Sequence, residues 1–177
     1  MRILLLSGGL DSALVLWRER LDACLVVDYG QPHHAEIRAA RELAALRGVQ
    51  LHEARATWST RPTTGLLAGQ DLTAAMSVCA GRNAMFIALA AMMGATEVLL
   101  GCNADDQADF VDCRDDVLAA VGRACGVTVT LPLAAMTKRE ILAAAASAGL
   151  PIARCMSCYR GTNCGECAAC KLRNWSV

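Results

Sequence analysis

Two stretches of this chain carry residue types that do chemistry, one at each end. Near the carboxyl terminus, Cys158-x5-Cys164-x2-Cys167-x2-Cys170 puts four soft thiolates within thirteen positions. Zn²⁺ favours a closed tetrahedron of such ligands, and a Cys₄ shell leaves no position for a hydrolytic water. The spacing predicts a structural zinc site that pins a Gly-containing segment with little apolar core of its own. Lys171 and Arg173 would offset the negative charge of the metal centre. Cys155 is a fifth thiol, so a shell pairing Cys155-x2-Cys158 with a later pair is an alternative; disulfides and an iron–sulfur cluster are the competing accounts.

At the other end, Ser7-Gly8-Gly9-Leu10-Asp11-Ser12 follows a short aliphatic run and leads straight into another. A strand, a tight glycine loop and a helix present bare N–H groups to an anion. The glycines let backbone approach a ligand closely, Ser7 and Ser12 add hydroxyls, and the helix start adds partial positive charge. Leu6 and Ala13 border the loop and are grouped with it. Asp11 would repel a phosphate unless a divalent cation stood between them, which implies Mg²⁺. The hexapeptide is neither a Walker A loop nor a G-x-G-x-x-G fingerprint. A bare Ser-Gly-Gly could be an ordinary serine-capped turn; the full hexapeptide in this context favours nucleotide binding.

The elements that must position these residues alternate. Apolar β-prone runs occur at Ile3–Leu6, Ala23–Asp28, Val49–Glu53, Glu97–Cys102 and Val127–Leu131. Between and after them, helical spacing covers Ser12–Arg20, His34–Arg47, Arg82–Met93, Arg114–Cys125 and Lys138–Ala148. Alternation of this kind predicts an α/β fold with a doubly wound, mainly parallel sheet. Runs such as "ACLVVD" and "EVLLGC" suit strands buried on both faces. The last helix carries a capping box, Thr137-x-x-Glu140, and stops at Gly149 before Pro151. The expected organisation is a nucleotide-binding α/β domain over residues 1–150, with residues 151–177 as a metal-binding tail packed on it. Thr57 to Ser77 is read as a loop. Ligands of such sheets bind beyond the carboxyl ends of the strands, which here are Ser7–Ser12, Asp28–Gln31, Asn103–Arg114 and Pro132–Lys138.

Bulk composition agrees. The chain has 177 residues, 55% of them hydrophobic, so one domain with a sizeable core is expected and disorder is not. Its 17 basic and 17 acidic residues balance, which leaves no nucleic-acid footprint. The apolar stretch from Ala84 to Ala95 is shorter than the ~20 residues of a membrane span. The first aliphatic run ends on glycines and an aspartate, unlike a secretory signal. Ten cysteines without a secretion signal suit reduced thiols in the cytoplasm.

The hexapeptide resembles the PP-loop of ATP pyrophosphatases, which adenylate a substrate and release pyrophosphate. Further segments, "VVDYGQPHHAEIRAA", "AGRNAMFIALA", "GCNADDQADFVDCR", "LPLAAMTKREI" and "SCYRGTNCGECAACKLR", resemble in order those of the 7-cyano-7-deazaguanine synthase family, from Leu4 to Arg173. Pro32 stands where that family usually has a basic residue, Cys155 is additional, and several loops are short. The resemblance implies a PP-loop fold and a ligase that takes 7-carboxy-7-deazaguanine, ATP and ammonia through an acyl-adenylate and an amide to the nitrile, a queuosine precursor. It implies ATP, Mg²⁺ and Zn²⁺, the last on Cys158, Cys164, Cys167 and Cys170 with Cys155 spare. With no room ahead of the first strand for a glutaminase domain, free ammonia or a separate partner is expected to supply nitrogen. A homodimer is expected, with no membrane or direct nucleic-acid partner.

For individual residues, Asp11, Ser12, Lys138 and Arg82 are expected to be catalytic. Nucleotide contacts are expected from Leu6 through Ala13 and from Lys138, which starts a capped helix beyond a strand end. Substrate contacts are expected from Tyr29, Gln31, Arg82, Asn83, Asp112 and Arg114. Cys113 is either a chemical group or a buried structural thiol, Glu36 a further contact, and His33 and His34 surface or packing residues. The alternatives are a divergent PP-loop enzyme that stops at the amide or uses another acceptor, a PP-loop tRNA sulfur transferase, and a nucleotide-sensing domain whose zinc module contacts other macromolecules.

Overall fold

Five apolar runs become the strands of one parallel sheet. The computed structural model describes residues 1–31, 34–57, 79, 81–158, 162, 164–166 and 170. Expectations attached to Pro32, His33, Cys167, Lys171, Arg173 and residues 58–77 lie outside them. The strands are β1 (Arg2–Leu5), β2 (Ala23–Asp28), β3 (Leu51–Arg55), β4 (Glu97–Leu99) and β5 (Thr128–Thr130). The helices are α1 (Leu10–Arg18), α2 (Ala35–Arg47), α3 (Arg82–Met92), α4 (Ala104–Asp109), α5 (Asp115–Cys125) and α6 (Lys138–Ser147). Single 3₁₀ turns cover Val111–Cys113 and Ile152–Arg154.

The strand order is β3-β2-β1-β4-β5, every neighbour parallel. Because side chains alternate along a strand, β1 sends Leu4 and Leu6 to one face and Ile3 and Leu5 to the other. The first pair packs with Leu14, Leu16, Ile37, Leu43 and Ile141, from α1, α2 and α6. The second packs with Ile87, Ala90 and Leu118, from α3 and α5. Both faces are covered, which is why the central strands read as unbroken apolar runs.

The expected α/β architecture is therefore present, with local differences: β3 spans Leu51–Arg55 rather than Val49–Glu53, and α1 spans Leu10–Arg18 rather than Ser12–Arg20. Strand geometry in β4 ends at Leu99 rather than Cys102, although Leu100 N still donates to Thr130 O at 3.1 Å. And α4 stands where only a strand-end stretch was expected. Its sequence, ADDQAD, has no apolar stripe to announce it; the Asn103 side chain nucleates it by accepting from Asp106 N. The capping box of α6 forms as expected, with both reciprocal bonds. Among the described residues, no helix is long and apolar enough to cross a membrane.

The chain leaves β1 toward β2 on one side and leaves β4 toward β5 on the other, so a crevice opens between the carboxyl ends of β1 and β4. Two glycines let backbone close around it. Gly8 has φ +83°, and a Cβ there would overlap Glu36 O and sit 2.9 Å from Ala40 N. A Cβ on Gly101 would lie 2.8 Å from Ser12 N and 3.0 Å from the Asp11 carbonyl carbon. Since both neighbours of Gly101 are backbone, Gly101→Ala has to push α1 away from β4. It should cost about 1–3 kcal/mol in denaturant unfolding.

Candidate active site

The loop from Ser7 to Ser12 turns off the end of β1 into α1. Gly9 is the N-cap of α1 and no side chain caps that end, so its first amides face the crevice as an anion seat. The hydroxyls hold the turn: Ser7 Oγ and Ser12 Oγ lie 3.1 Å apart, Ser12 Oγ donates to Gly9 O at 3.1 Å, and Gly9 N donates to Ser7 Oγ at 3.3 Å. Ser12 is buried, while Leu6 and Ala13 pack in the apolar core. Those two border the seat without offering polar side chains to it.

Lys138, the first residue of α6, reaches across to this loop. Its Nζ is 2.5 Å from Asp11 Oδ2 and 3.2 Å from Asp106 Oδ1. Asn103 completes the group, donating to Asp106 Oδ2 at 2.7 Å and to Asp11 Oδ2 at 3.2 Å. The lysine is aimed by backbone contacts between α4 and the approach to α6. Lys138 N donates to Asp105 Oδ2 at 2.8 Å, Ala104 N to Met136 O at 3.0 Å, and Gln107 Nε2 to Ala134 O at 2.9 Å. Burial works against the ammonium, but Asp11 and Asp106 outweigh it and raise the Lys138 pKa. Burial raises the Asp106 pKa, with Lys138 opposing and Asp11 adding to the rise. Two carboxylates against one ammonium leave one net negative charge on hard oxygen donors beside an anion seat. That donor set could hold a hydrated Mg²⁺.

A second polar group lies beyond the β2 and β4 ends. Arg82 opens α3; burial opposes its charge, but Tyr29, Asp112 and Cys113 more than offset this and raise its pKa. Tyr29 is buried, its ring tilted against Phe86 at 5.5 Å, and burial raises its phenol pKa against the pull of Arg82. Asn83 Nδ2 donates to Asp112 O at 2.9 Å, to Asp112 Oδ2 at 3.3 Å and to Cys113 Sγ at 3.7 Å. The neighbouring Cys102 thiol lowers the Cys113 pKa against burial, Asp112 and Asp106, while Cys113 and burial raise that of Cys102. Glu36, in the first turn of α2, is pushed up to about 8 by burial, with Arg82 partly offsetting it.

Not every expected contact points the same way. Gln31 is spent on its own turn: Oε1 accepts from Tyr29 N at 2.8 Å and Nε2 donates to Val27 O at 3.2 Å. Arg114 is exposed at the N-cap of α5, and His34 is exposed at the N-cap of α2. Conversely, Asn103, Asp105, Asp106 and Cys102 were not singled out in the sequence. Their one signal was position at a strand's carboxyl end.

The tail begins on the same crevice. Met156 N donates to Gly8 O at 2.8 Å, and Cys155 is buried in the α1/α2/α6 core. The sulfurs of Cys158, Cys164 and Cys170 lie within 4.8 Å of one another, with Cys158 and Cys164 3.6 Å apart. A tetrahedral metal with ~2.3 Å bonds to sulfur has edges of about 3.8 Å, so this group could hold a metal ion. Cys167 lies outside the described residues.

Glu36 gives a pH signature. Its folded pKa lies above the 4.5 of an ordinary glutamate, so the native state binds the extra proton between those values and stability declines as pH rises through about 8. Glu36→Gln lacks that titration. Its melting temperature relative to the parent should therefore rise steadily between pH 5 and 8.5; a pH-independent difference would remove the buried acid.

Comparison with known proteins agrees over nearly the whole chain. The family model described as "Queuosine biosynthesis protein QueC" matches residues 1–176. The chain is 35% identical to the 7-cyano-7-deazaguanine synthase of Thiobacillus denitrificans, covering 97% of this chain and 90% of that protein. With the protein of the same name from Ralstonia nicotianae it shares 33% identity over 97% and 91%, and with that of a Synechococcus species 34% over 97% and 91%. Among solved structures it resembles the U34-tRNA thiolase NcsA from Methanococcus maripaludis with its [4Fe-4S] cluster. The TM-score is 0.57 at 15% identity, covering 85% of this chain and 56% of that one, a likeness of fold alone. On the family match and on these relatives, the chain belongs to the QueC family of queuosine biosynthesis proteins.

Proposed function

We propose that this chain is an ATP-dependent carbon–nitrogen ligase that converts 7-carboxy-7-deazaguanine and ammonia to 7-cyano-7-deazaguanine by way of an acyl-adenylate and an amide. Relatives bearing that enzyme's name over 97% of the chain support the product. The observation that carries the chemistry is the placement of an uncapped glycine-loop helix start, Lys138, Asp11 and Asp106 in the β1/β4 crevice, beside the Arg82 group.

The physical logic is that a carboxylate is a poor electrophile, and adenylation turns one of its oxygens into a leaving group. The backbone of Ser7 to Ser12 seats the pyrophosphate portion of ATP. Lys138, released from its carboxylates, meets charge developing at phosphorus. Asp11 and Asp106 would hold Mg²⁺, which supplies Lewis-acid charge on the phosphate oxygens. Arg82, Tyr29 and Asp112 orient the deazaguanine and its carboxylate, so alignment accounts for much of the rate. Free ammonia supplies the nitrogen. Cys158, Cys164, Cys167 and Cys170 would hold a structural Zn²⁺ that keeps the tail against Gly8.

Incubation with ATP, Mg²⁺, ammonia and 7-carboxy-7-deazaguanine should give AMP, pyrophosphate and the nitrile, followed by mass. Amide alone would move the reading to an enzyme that stops half-way, and unchanged acid without AMP would reject both. Lys138→Ala should lower kcat/KM by roughly 10²–10³-fold, the scale for losing one charge-stabilising donor. For the tail, metal analysis should find one zinc per chain. Cys158→Ser should lose it, lower the melting temperature and weaken ATP binding through the Met156–Gly8 contact; stoichiometric iron would overturn the zinc assignment.

A further inference from the structure

The proposed reaction leaves a pair of thiols unexplained. Cys102 follows the end of β4 and Cys113 closes the Val111–Cys113 turn, so residues eleven apart in sequence meet in the apolar cluster on the α3/α5 face of the sheet. Both are buried without being sealed, at 9% and 7% exposure. They are not equivalent. Cys113 Sγ accepts from Asn83 Nδ2 at 3.7 Å. The neighbouring Cys102 thiol and the Arg82 guanidinium lower the Cys113 pKa against burial, Asp112 and Asp106, and with the Asn83 donor they favour a thiolate on Cys113 rather than on Cys102. Position matters as much as protonation. Asn103, the residue after Cys102, donates to Asp11 and Asp106 in the nucleotide group, while Asn83 and Arg82 belong to the substrate group. The thiol pair thus marks the junction of the two groups, where a carboxylate joined to AMP would have to lie.

We propose that Cys113 is a nucleophile that takes the acyl group from AMP before ammonia does. This rests on the ligase reading above. The Cys113 thiolate attacks the acyl carbon, a C–S bond forms, and the bond from that carbon to the AMP phosphate oxygen breaks, releasing AMP with the electron pair. Ammonia then adds to the thioester carbon, the C–S bond breaks, the thiolate is regenerated, and the surplus nitrogen proton passes to solvent. No oxidant or reductant enters. Division into two displacements separates a bulky anionic leaving group from the entry of a small neutral nucleophile. Cys102 serves as a positioning residue beside that sulfur.

The unmodified chain provides the test. It is incubated with ATP, Mg²⁺ and 7-carboxy-7-deazaguanine without ammonia, quenched in acid, and mapped by peptide mass. The expected result is an acyl adduct on Cys113 that disappears when ammonia is added, with amide appearing. Pyrophosphate release without any adduct on Cys113 would overturn the thioester and leave the ligase reading standing; no pyrophosphate release would overturn both. Cys113→Ala should retain substrate-dependent pyrophosphate release while amide formation falls at least 100-fold, and amide at the parent rate would overturn the proposal. For Cys102→Ala, the pH profile of Cys113 alkylation by iodoacetamide should move to higher pH. Arg82, Asn83, Asp106 and Asp112, the other groups facing that sulfur, are unchanged in this variant. An unmoved profile would remove Cys102 from its positioning role.

Discussion

One ammonium shared by two carboxylates organises the crevice. Lys138 sits 127 residues from Asp11 in sequence yet holds it at 2.5 Å, and the same Nζ holds Asp106 from a third element. The three side chains retain between 22% and 30% of their exposure. Each has therefore lost solvation that its partners must replace, and removing one member would leave the others poorly compensated. The arrangement ties α1, α4 and α6 together at the mouth of the crevice. It also holds the lysine beside the glycine loop.

The sheet supplies the frame for that arrangement. Its central strand has an apolar partner on each face, so the start of α1 is set by packing rather than by its own capping. An uncapped helix end is a local loss of stability, and the folded chain accepts it where an anion would bind. Gly8 and Gly101 make the frame tight. At the first, the backbone of α2 comes against the loop; at the second, β4 comes against the start of α1. The tail closes the remaining side, because Met156 donates to the carbonyl of the same Gly8. The cysteine group near the end of the chain, which could hold a metal ion, thus begins two residues from a contact with the loop at its beginning.

Away from the Lys138 group, the polar residues beyond β2 and β4 form a cluster whose members set one another's charge. Arg82 stays cationic because Tyr29, Asp112 and Cys113 surround it, and Glu36 is held toward its neutral form by burial. Such paired perturbations are how a fold carries acid, base and nucleophile side by side near neutral pH. The two groups meet through consecutive residues, Cys102 packed beside Cys113 and Asn103 bonded to Asp11 and Asp106.

How much of this was legible depends on the range of the interaction. Alternating strand and helix patterns determined a parallel sheet covered on both faces, since side-chain periodicity is a local property of the chain. The glycine loop, the α6 capping box and the thiolate spacing were equally local, and Lys138 stood out because it begins a helix beyond a strand. The sequence could not show that Asp106 shares that lysine, that Cys102 meets Cys113, or that Gln31 is consumed by its own turn. Nor could it show α4, whose short polar sequence has no periodicity and which depends on one capping asparagine. Those facts are distances between residues far apart along the chain. Only packing decides them, because a through-space contact has no signature in the order of the amino acids.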